Sequence, residues 1–333
     1  MIDWRKIRLV GALLAAGTLA ACASVPRTPA SEPPISIYGN KQTLEIAPVL
    51  LAADRFYPGS ATVHMGSIAN LVGAPPVQGF GNEGSADLAT NAETQILRYS
   101  VQHPDLRILM TVTEGNYRIV ARRSAGIGSV ADLKGKKIAT IPQTSSGYFL
   151  KLALEQAGLS FDDIVAVPMV PLSGMTAALA NREVDAVVIW EPESENAAQV
   201  LGDDLIEFGG QGIYRELFNL NTTAGNLADP IQRAKIVRFM RAIIDASGSI
   251  RGDPTDAKRL VVAAGSFDPQ DVEDSWKHHS WIATIPDDLL DVMVKEEQWL
   301  AVRDNRTART RAELAALIDQ APYEEALALK AAE

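Results

Sequence analysis

Hydroxyl and amide side chains gather at a few points of this chain where apolar runs break off. Such side chains hold small polar molecules without remaking their bonds. Gln143-Thr-Ser-Ser-Gly-Tyr148 joins a strand-like run to a helix-like one. Thr144, Ser145 and Ser146 offer hydroxyls there, and the first N–H groups of the helix lack partners within it, an arrangement suited to an anion. The helix dipole adds only about 0.3–2 kcal/mol. Micromolar capture needs about −8 kcal/mol, so other segments must supply donors and apolar contact. Asn40 and Gln42 follow the first strand-like run, beside the approachable N–H of Gly39, and Thr43 can cap the next helix. Trp190 and Glu191 follow a later run. The indole can stack on a ligand or pack on a hinge. The carboxylate can accept from an amine or cap the helix that Pro192 opens.

The residue types that catalysis needs are scarce at these points. Cys22 is the only cysteine, and the histidines, His64, His103, His278 and His279, show no metal-ligand spacing. His278 and His279 are adjacent and would point about 100° apart on a helix. The chain has no Gly-x-Ser-x-Gly elbow and no phosphate-binding glycine loop. We therefore expect no enzyme, no metal and no cofactor. The formal charge is −10, and residues 1–21 carry Arg5, Lys6, Arg8 and Asp3, so the remainder stands near −12. That balance repels nucleic acid and anionic membranes.

The chain's first segment fixes its expected compartment. A basic start leads into the apolar stretch Leu9 to Ala21 and small residues at a cut site, the pattern of a secretory signal over 1–21. Thirteen apolar residues reach only about 20 Å, short of a hydrocarbon core of about 30 Å. Leu19-Ala-Ala-Cys22 resembles the lipobox of bacterial lipoproteins, which implies an acylated Cys22 as mature N-terminus. Residues 22–35 include Pro26, Pro29, Pro33 and Pro34 among small polar residues and read as a flexible tether.

From Ile35 onward, strand-like and helix-like runs alternate in two series, and a helical segment follows Thr223. Alternation of this kind argues for α/β sheets with largely parallel strands. In such sheets ligands sit beyond the carboxyl ends of the strands, which is where the polar clusters above fall. Apolar residues make up 47% of the chain, enough for a sizeable core.

Three stretches carry a family resemblance: Asp87-Leu-Ala-Thr-Asn-Ala-Glu-Thr94, Ser129-Val-Ala-Asp-Leu-Lys-Gly-Lys-Lys-Ile138 and Glu183-Val-Asp-Ala-Val-Val-Ile-Trp-Glu-Pro192. In order and spacing they resemble the solute-binding proteins of bacterial ABC importers, in the nitrate, sulfonate, taurine and thiamine-precursor group. The resemblance implies an α/β, two-lobed periplasmic-binding-protein (type II) fold, each lobe a mainly parallel sheet flanked by helices. Lobe I would comprise 36–117 and 224–333, and lobe II 118–223, with crossings near Tyr117–Arg122 and Phe218–Thr223. It also implies ligand contacts at Asn91 and Glu93, and puts Asn219 and Asn221 at the second crossing. Lobe closure on a small polar ligand would hand it to a permease and its ATPase. The expected protein is a lipid-anchored extracytoplasmic monomer. A sensory lipoprotein on the same fold is the alternative, and a thiamine-pyrimidine-synthase-like enzyme a more distant one. The loops carry Glu93, Glu114 and Glu191 against Lys41 and Arg118, a balance that favours a zwitterion or cation over a simple anion.

Overall fold

The computed structural model describes residues 34–76 and 79–330. The expected signal, Cys22 and nearly all of the tether lie outside these residues. The described residues belong to one compact unit.

Its elements begin with β1 (Ile35–Gly39), α1 (Ala47–Leu51), which continues as a wider π-type turn over Ala52–Phe56, β2 (Ala61–Met65) and α2 (Ala69–Val72). Next come β3 (Leu88–Ala92), α3 (Glu93–Tyr99), β4 (Leu106–Asn116), β5 (Arg118–Arg122), β6 (Lys137–Ala139) and α4 (Ser145–Gln156). Then follow β7 (Val165–Val167), α5 (Ser173–Ala180), β8 (Ala186–Val187), α6 (Glu193–Gln199), β9 (Leu205–Gly209) and β10 (Arg215–Thr223). The C-terminal part holds α7 (Ala224–Ala228), α8 (Pro230–Gly252), α9 (Thr255–Gly265), α10 (Pro269–Ser275), β11 (His279–Ser280), α11 (Leu289–Arg303), α12 (Arg311–Ala315) and α13 (Ala321–Ala328).

Local chemistry explains the main boundaries. Asp229 accepts from the N–H groups of Ile231 and Gln232 while Pro230 opens α8, so a cap and a residue with no N–H to lose start this helix together. Past the end of α4, Gly158 takes φ +74°. The N–H of Leu159 returns to the carbonyl of Leu154 and that of Gly158 to Glu155, the two bonds of a Schellman stop. Pro192, expected as the first helical residue, stands one position before α6 as its cap.

The strands form two sheets. The first runs β11-β4-β10-β3-β1-β2 and the second β7-β6-β8-β5-β9. In the first, β1 is parallel to β2 and β3, while β10 lies antiparallel to β3 and β4. In the second, β6 is parallel to β7 and β8, while β5 lies antiparallel to β8 and β9. The α/β class is as expected, and the parallel strands of each sheet are extended by antiparallel ones where the chain passes between sheets.

Those passages sit at Tyr117, between β4 and β5, and at 210–214, between β9 and β10. The second was expected at Phe218–Thr223. Those residues instead lie within β10, which belongs to the first sheet. The two passages touch: the N–H of Gly210 donates to the carbonyl of Tyr117 at 2.7 Å. A Cβ on Gly210 would stand 2.6 Å from the Phe149 ring and 2.8 Å from that carbonyl, so the bond requires glycine.

One buried cluster packs α1, α8 and α9 against the first sheet through Ile37, Val49, Phe239 and Ile243. A second joins both sheets through Ile108, Tyr117, Ile119 and Phe149. A third lies between the second sheet and α5, around Val187, Met175 and Leu179.

Candidate functional site

A cavity of about 340 Å³ opens at the carboxyl ends of the parallel strands of both sheets. From the first sheet its wall takes Asn40, Thr43 and Glu45 after β1, Gly66 and Ser67 after β2, and Asn91, Gln95, Arg98 and Tyr99 from the end of β3 and α3. From the second it takes Ile141, Gln143, Thr144 and Ser145 before and at the start of α4, and Trp190 after β8. Phe80 closes one side, and Glu216 and Phe218 of β10 line the floor.

Side chains cross from one set of elements to the other. Gln95 Nε2 donates to the Gln143 carbonyl and Arg98 Nη2 to Gln143 Oε1, each at 3.1 Å. Phe80 meets Trp190 edge to face, ring centroids 6.2 Å apart. Under the cavity, the Tyr117 hydroxyl donates to Glu216 Oε2 at 2.6 Å and lies 2.8 Å from Ser145 Oγ. The first turn of α4 is pressed against the preceding loop. A Cβ on Gly147 would fall 2.3 Å from the Pro142 carbonyl oxygen, so Gly147 lets the helix start beside the cavity.

The electrostatics of the floor are acidic. Glu45 and Glu216 are both buried and line the cavity. Burial, with the charges of Glu45 and Glu93, pushes the Glu216 carboxyl well above its ordinary range. Beneath it, Glu93 accepts from the Tyr214 hydroxyl and the N–H of Leu217. The fully buried Glu296 belongs to the same acidic group, and burial raises both acids. Among the described residues no group of three or more His, Cys, Asp or Glu is placed to hold a metal ion.

Of the residues singled out in the sequence, Asn40, Asn91, Thr144, Ser145 and Trp190 stand in the cavity wall, and six stand elsewhere. Gln42 is exposed, its N–H turned back to Asn40 Oδ1. Glu93 lies below the floor. Ser146 is buried and bonds to Thr144 and Thr140. Glu191 faces Arg118, whose Nε donates to it at 2.9 Å, and it accepts the N–H of Glu195 at the start of α6. Burial raises its pKa, with Arg118 opposing. Asn219 accepts from Thr111 Oγ1, and Asn221 donates to the Ala89 carbonyl. Both asparagines are interior residues of β10, because that strand is central in the first sheet.

Sequence reasoning missed Glu45, Glu216, Gln95 and Arg98. Glu45 had a signal, a carboxylate inside the apolar run Leu44 to Leu51. Gln95 and Arg98 are three apart on the first turns of a helix that leaves a strand end. Glu216 was hidden by a boundary: the second crossing was expected at Phe218–Thr223, whereas β10 already begins at Arg215.

Two α/β sheets with a cavity at their strand ends define the periplasmic-binding-protein fold. The alkanesulfonate-binding protein SsuA from Xanthomonas axonopodis pv. citri, solved with MOPS bound, superposes with a TM-score of 0.64 at 21% identity, over 88% of this chain and all of that one. The sequence profile of the NMT1/THI5 like family matches residues 76–257, and the chain belongs to that family. A binding protein of Brucella abortus (strain 2308) is 43% identical over 75 residues, which are 22% of this chain. An aliphatic sulfonates-binding protein of Escherichia coli (strain K12) is 42% identical over 74 residues. Each match spans 23% of the relative's own length.

Proposed function

We propose that this chain is the extracytoplasmic solute-binding component of an ABC importer. It would capture a small organic ligand of the sulfonate-like group by closure of two lobes built on the two sheets. The observation that carries this reading is the cavity itself, walled by strand ends of both sheets and spanned by Gln95 and Arg98 reaching Gln143. Family membership and the names of the sulfonate-binding relatives support it. Asn40, Asn91, Thr144, Ser145 and Trp190 are the ligand contacts of this reading, joined by Arg98 as the cationic donor of the wall. Acylation at Cys22 would hold the protein at the membrane face where a permease and its ATPase take delivery.

Binding is tested by thermal unfolding of the full chain in detergent with a panel of alkanesulfonates and aminosulfonates. A ligand at 100 times its Kd adds about 2.7 kcal/mol to the folded state, so the expected result is a Tm rise of several degrees. Arg98→Ala and Thr144→Ala should each weaken binding about tenfold or more, which is about 1.4 kcal/mol. Affinity unchanged in both variants would remove the site from this cavity. For the anchor, Cys22→Ser should move the protein from the membrane to the soluble fraction after cell lysis.

A further inference from the structure

Three hydrogen-bonding groups meet at the floor of the cavity: the Glu216 carboxyl and the hydroxyls of Tyr117 and Ser145. The Tyr117 oxygen lies 2.6 Å from Glu216 Oε2 and 2.8 Å from Ser145 Oγ. Glu216, Tyr117 and Ser145 are 5%, 4% and 2% exposed, so each relies on the others for its bonds. Glu216 and Ser145 line the cavity, from β10 and from the start of α4. The titratable groups around Glu216 are acidic for the most part. Glu45 stands before α1, Glu93 at the start of α3 and Glu296 on α11, with Tyr214 and Tyr148 among them. His279 of β11 lies 3.5 Å from Glu45. The adjoining arginines are bonded elsewhere, Arg215 to Glu114 and Asp288, Arg118 to Glu191 and Arg98 to Gln143. Burial and the charges of Glu45 and Glu93 hold the Glu216 carboxyl well above its ordinary range, although Tyr117 and Ser145 act against them.

A hydroxyl gives one proton and accepts in return, whereas an ionised carboxylate only accepts. With Glu216 ionised, Tyr117 gives its proton to Glu216, and Ser145 gives its own to Tyr117. Ser145 then offers only lone pairs to the cavity, which repel an anion. With Glu216 protonated the order reverses. The acid donates to Tyr117, Tyr117 donates to Ser145, and the Ser145 proton turns to the cavity, where an anionic oxygen accepts it. We propose that Glu216, acting through Tyr117, sets the direction of the Ser145 hydrogen bond, so that an anionic group is gripped at Ser145 with uptake of a proton. The inference rests on the capture function proposed above and deepens it by coupling capture to a proton. Glu216 and Tyr117 act on the ligand through Ser145 and are positioning residues.

Propanesulfonate is the probe, because it stays an anion from mildly acidic to mildly alkaline pH. It is titrated calorimetrically into the full chain in detergent, in pairs of buffers of different ionisation enthalpy, which counts the protons bound. The parent should take up a proton with the ligand, and its affinity should fall as pH rises, by up to about tenfold per pH unit. Glu216→Gln cannot titrate and keeps an N–H donor for Tyr117. It should bind more tightly than the parent in alkali and lose both the pH dependence and the proton uptake. Ser145→Ala removes the hydroxyl that carries the effect. It should lose about tenfold in acid and little in alkali, so that its pH slope flattens. A slope that survives Ser145→Ala would mean that Glu216 acts by its charge alone and would overturn the inference. Proton uptake that survives Glu216→Gln, or binding to the parent that ignores pH, would overturn it too. No binding to the parent at any pH would instead remove the capture function on which the inference rests, so the two failures are distinct. Each variant is checked for folding by its Tm, and should one not fold, the other carries the same comparison.

Discussion

Glu296 shows what a single side chain does when the fold buries it completely among other acids. Its two oxygens are buried, and Glu93 and Tyr214 are its polar neighbours, with Glu216, Tyr148, Tyr117 and Glu45 in the same acidic core. Its pKa lies well above the ordinary 4.5 because burial disfavours its charge and Glu93 adds to the effect. The folded state thus binds more protons than the unfolded chain once pH exceeds 4.5, and stability must fall as pH rises towards the folded-state value. Glu296→Gln removes the buried charge that acts on Glu93. The variant should gain stability over the parent as pH rises above 4.5, by about 1–2 kcal/mol, read as a Tm difference that widens with pH. A constant difference would mean that Glu296 is not the titrating group. At this scale the sequence was legible only in part. Thr144 and Ser145 announce themselves by standing where a strand yields to a helix. Glu45 does so only as a carboxylate inside an apolar run, and Glu216 not at all, because its place in the wall follows from a strand that starts earlier than expected.

At the scale of elements, α3 brings Gln95 and Arg98 to the cavity, and it is fastened from behind by α11. Arg309, in the loop after α11, donates to the Leu97 carbonyl at 2.6 Å, to Ser100 Oγ at 2.8 Å and to Glu297 Oε2 at 2.9 Å. Glu297 also holds Arg306. Burial works against the Glu297 charge, but these two guanidinium groups outweigh it and hold the carboxyl at about 2. The interaction is fully present above 4.5, the unfolded value, and is lost as pH falls from there towards 2. A shift of that size corresponds to about 3 kcal/mol. Arg309→Ala should cost about 2 kcal/mol and raise the pH of acid unfolding. It should also weaken ligand binding, because α3 loses its support while its cavity side chains are untouched. An acid transition identical to the parent's would refute this fastening. Most elements were readable from apolar period, as the alternating runs after Ile35 and the helical segment after Thr223 illustrate. The short β11 and α2 were not, since two and four residues carry too little pattern. β10 was read as a strand, but its place was not, because antiparallel pairing across more than 100 residues leaves no local trace.

For the whole molecule, the two series of alternating runs correctly announced two sheets, yet the sheets do not have separate interiors. One buried cluster continues from Ile108 of the first and Ile96 of α3, through Tyr117 and Tyr214 at the passages, to Ile119 and Ile138 of the second and Phe149 of α4. Tyr117 stacks on Phe149 at 5.6 Å and on Tyr214 at 5.9 Å, and Tyr148 in turn meets Trp299 of α11 at 5.1 Å. Neither sheet can lose its packing at the passages without exposing apolar surface of the other, at about 25 cal/mol per Å². We therefore expect one cooperative unfolding transition without ligand, the calorimetric enthalpy matching the van't Hoff value. Phe149→Ala probes this coupling directly, because its ring is fully buried against both Tyr117 and Gly210. The truncation should cost about 3–5 kcal/mol and move the single transition to lower temperature as a unit. Two resolved transitions, with only one displaced by the substitution, would mean that the sheets melt independently and that the shared core does not couple them.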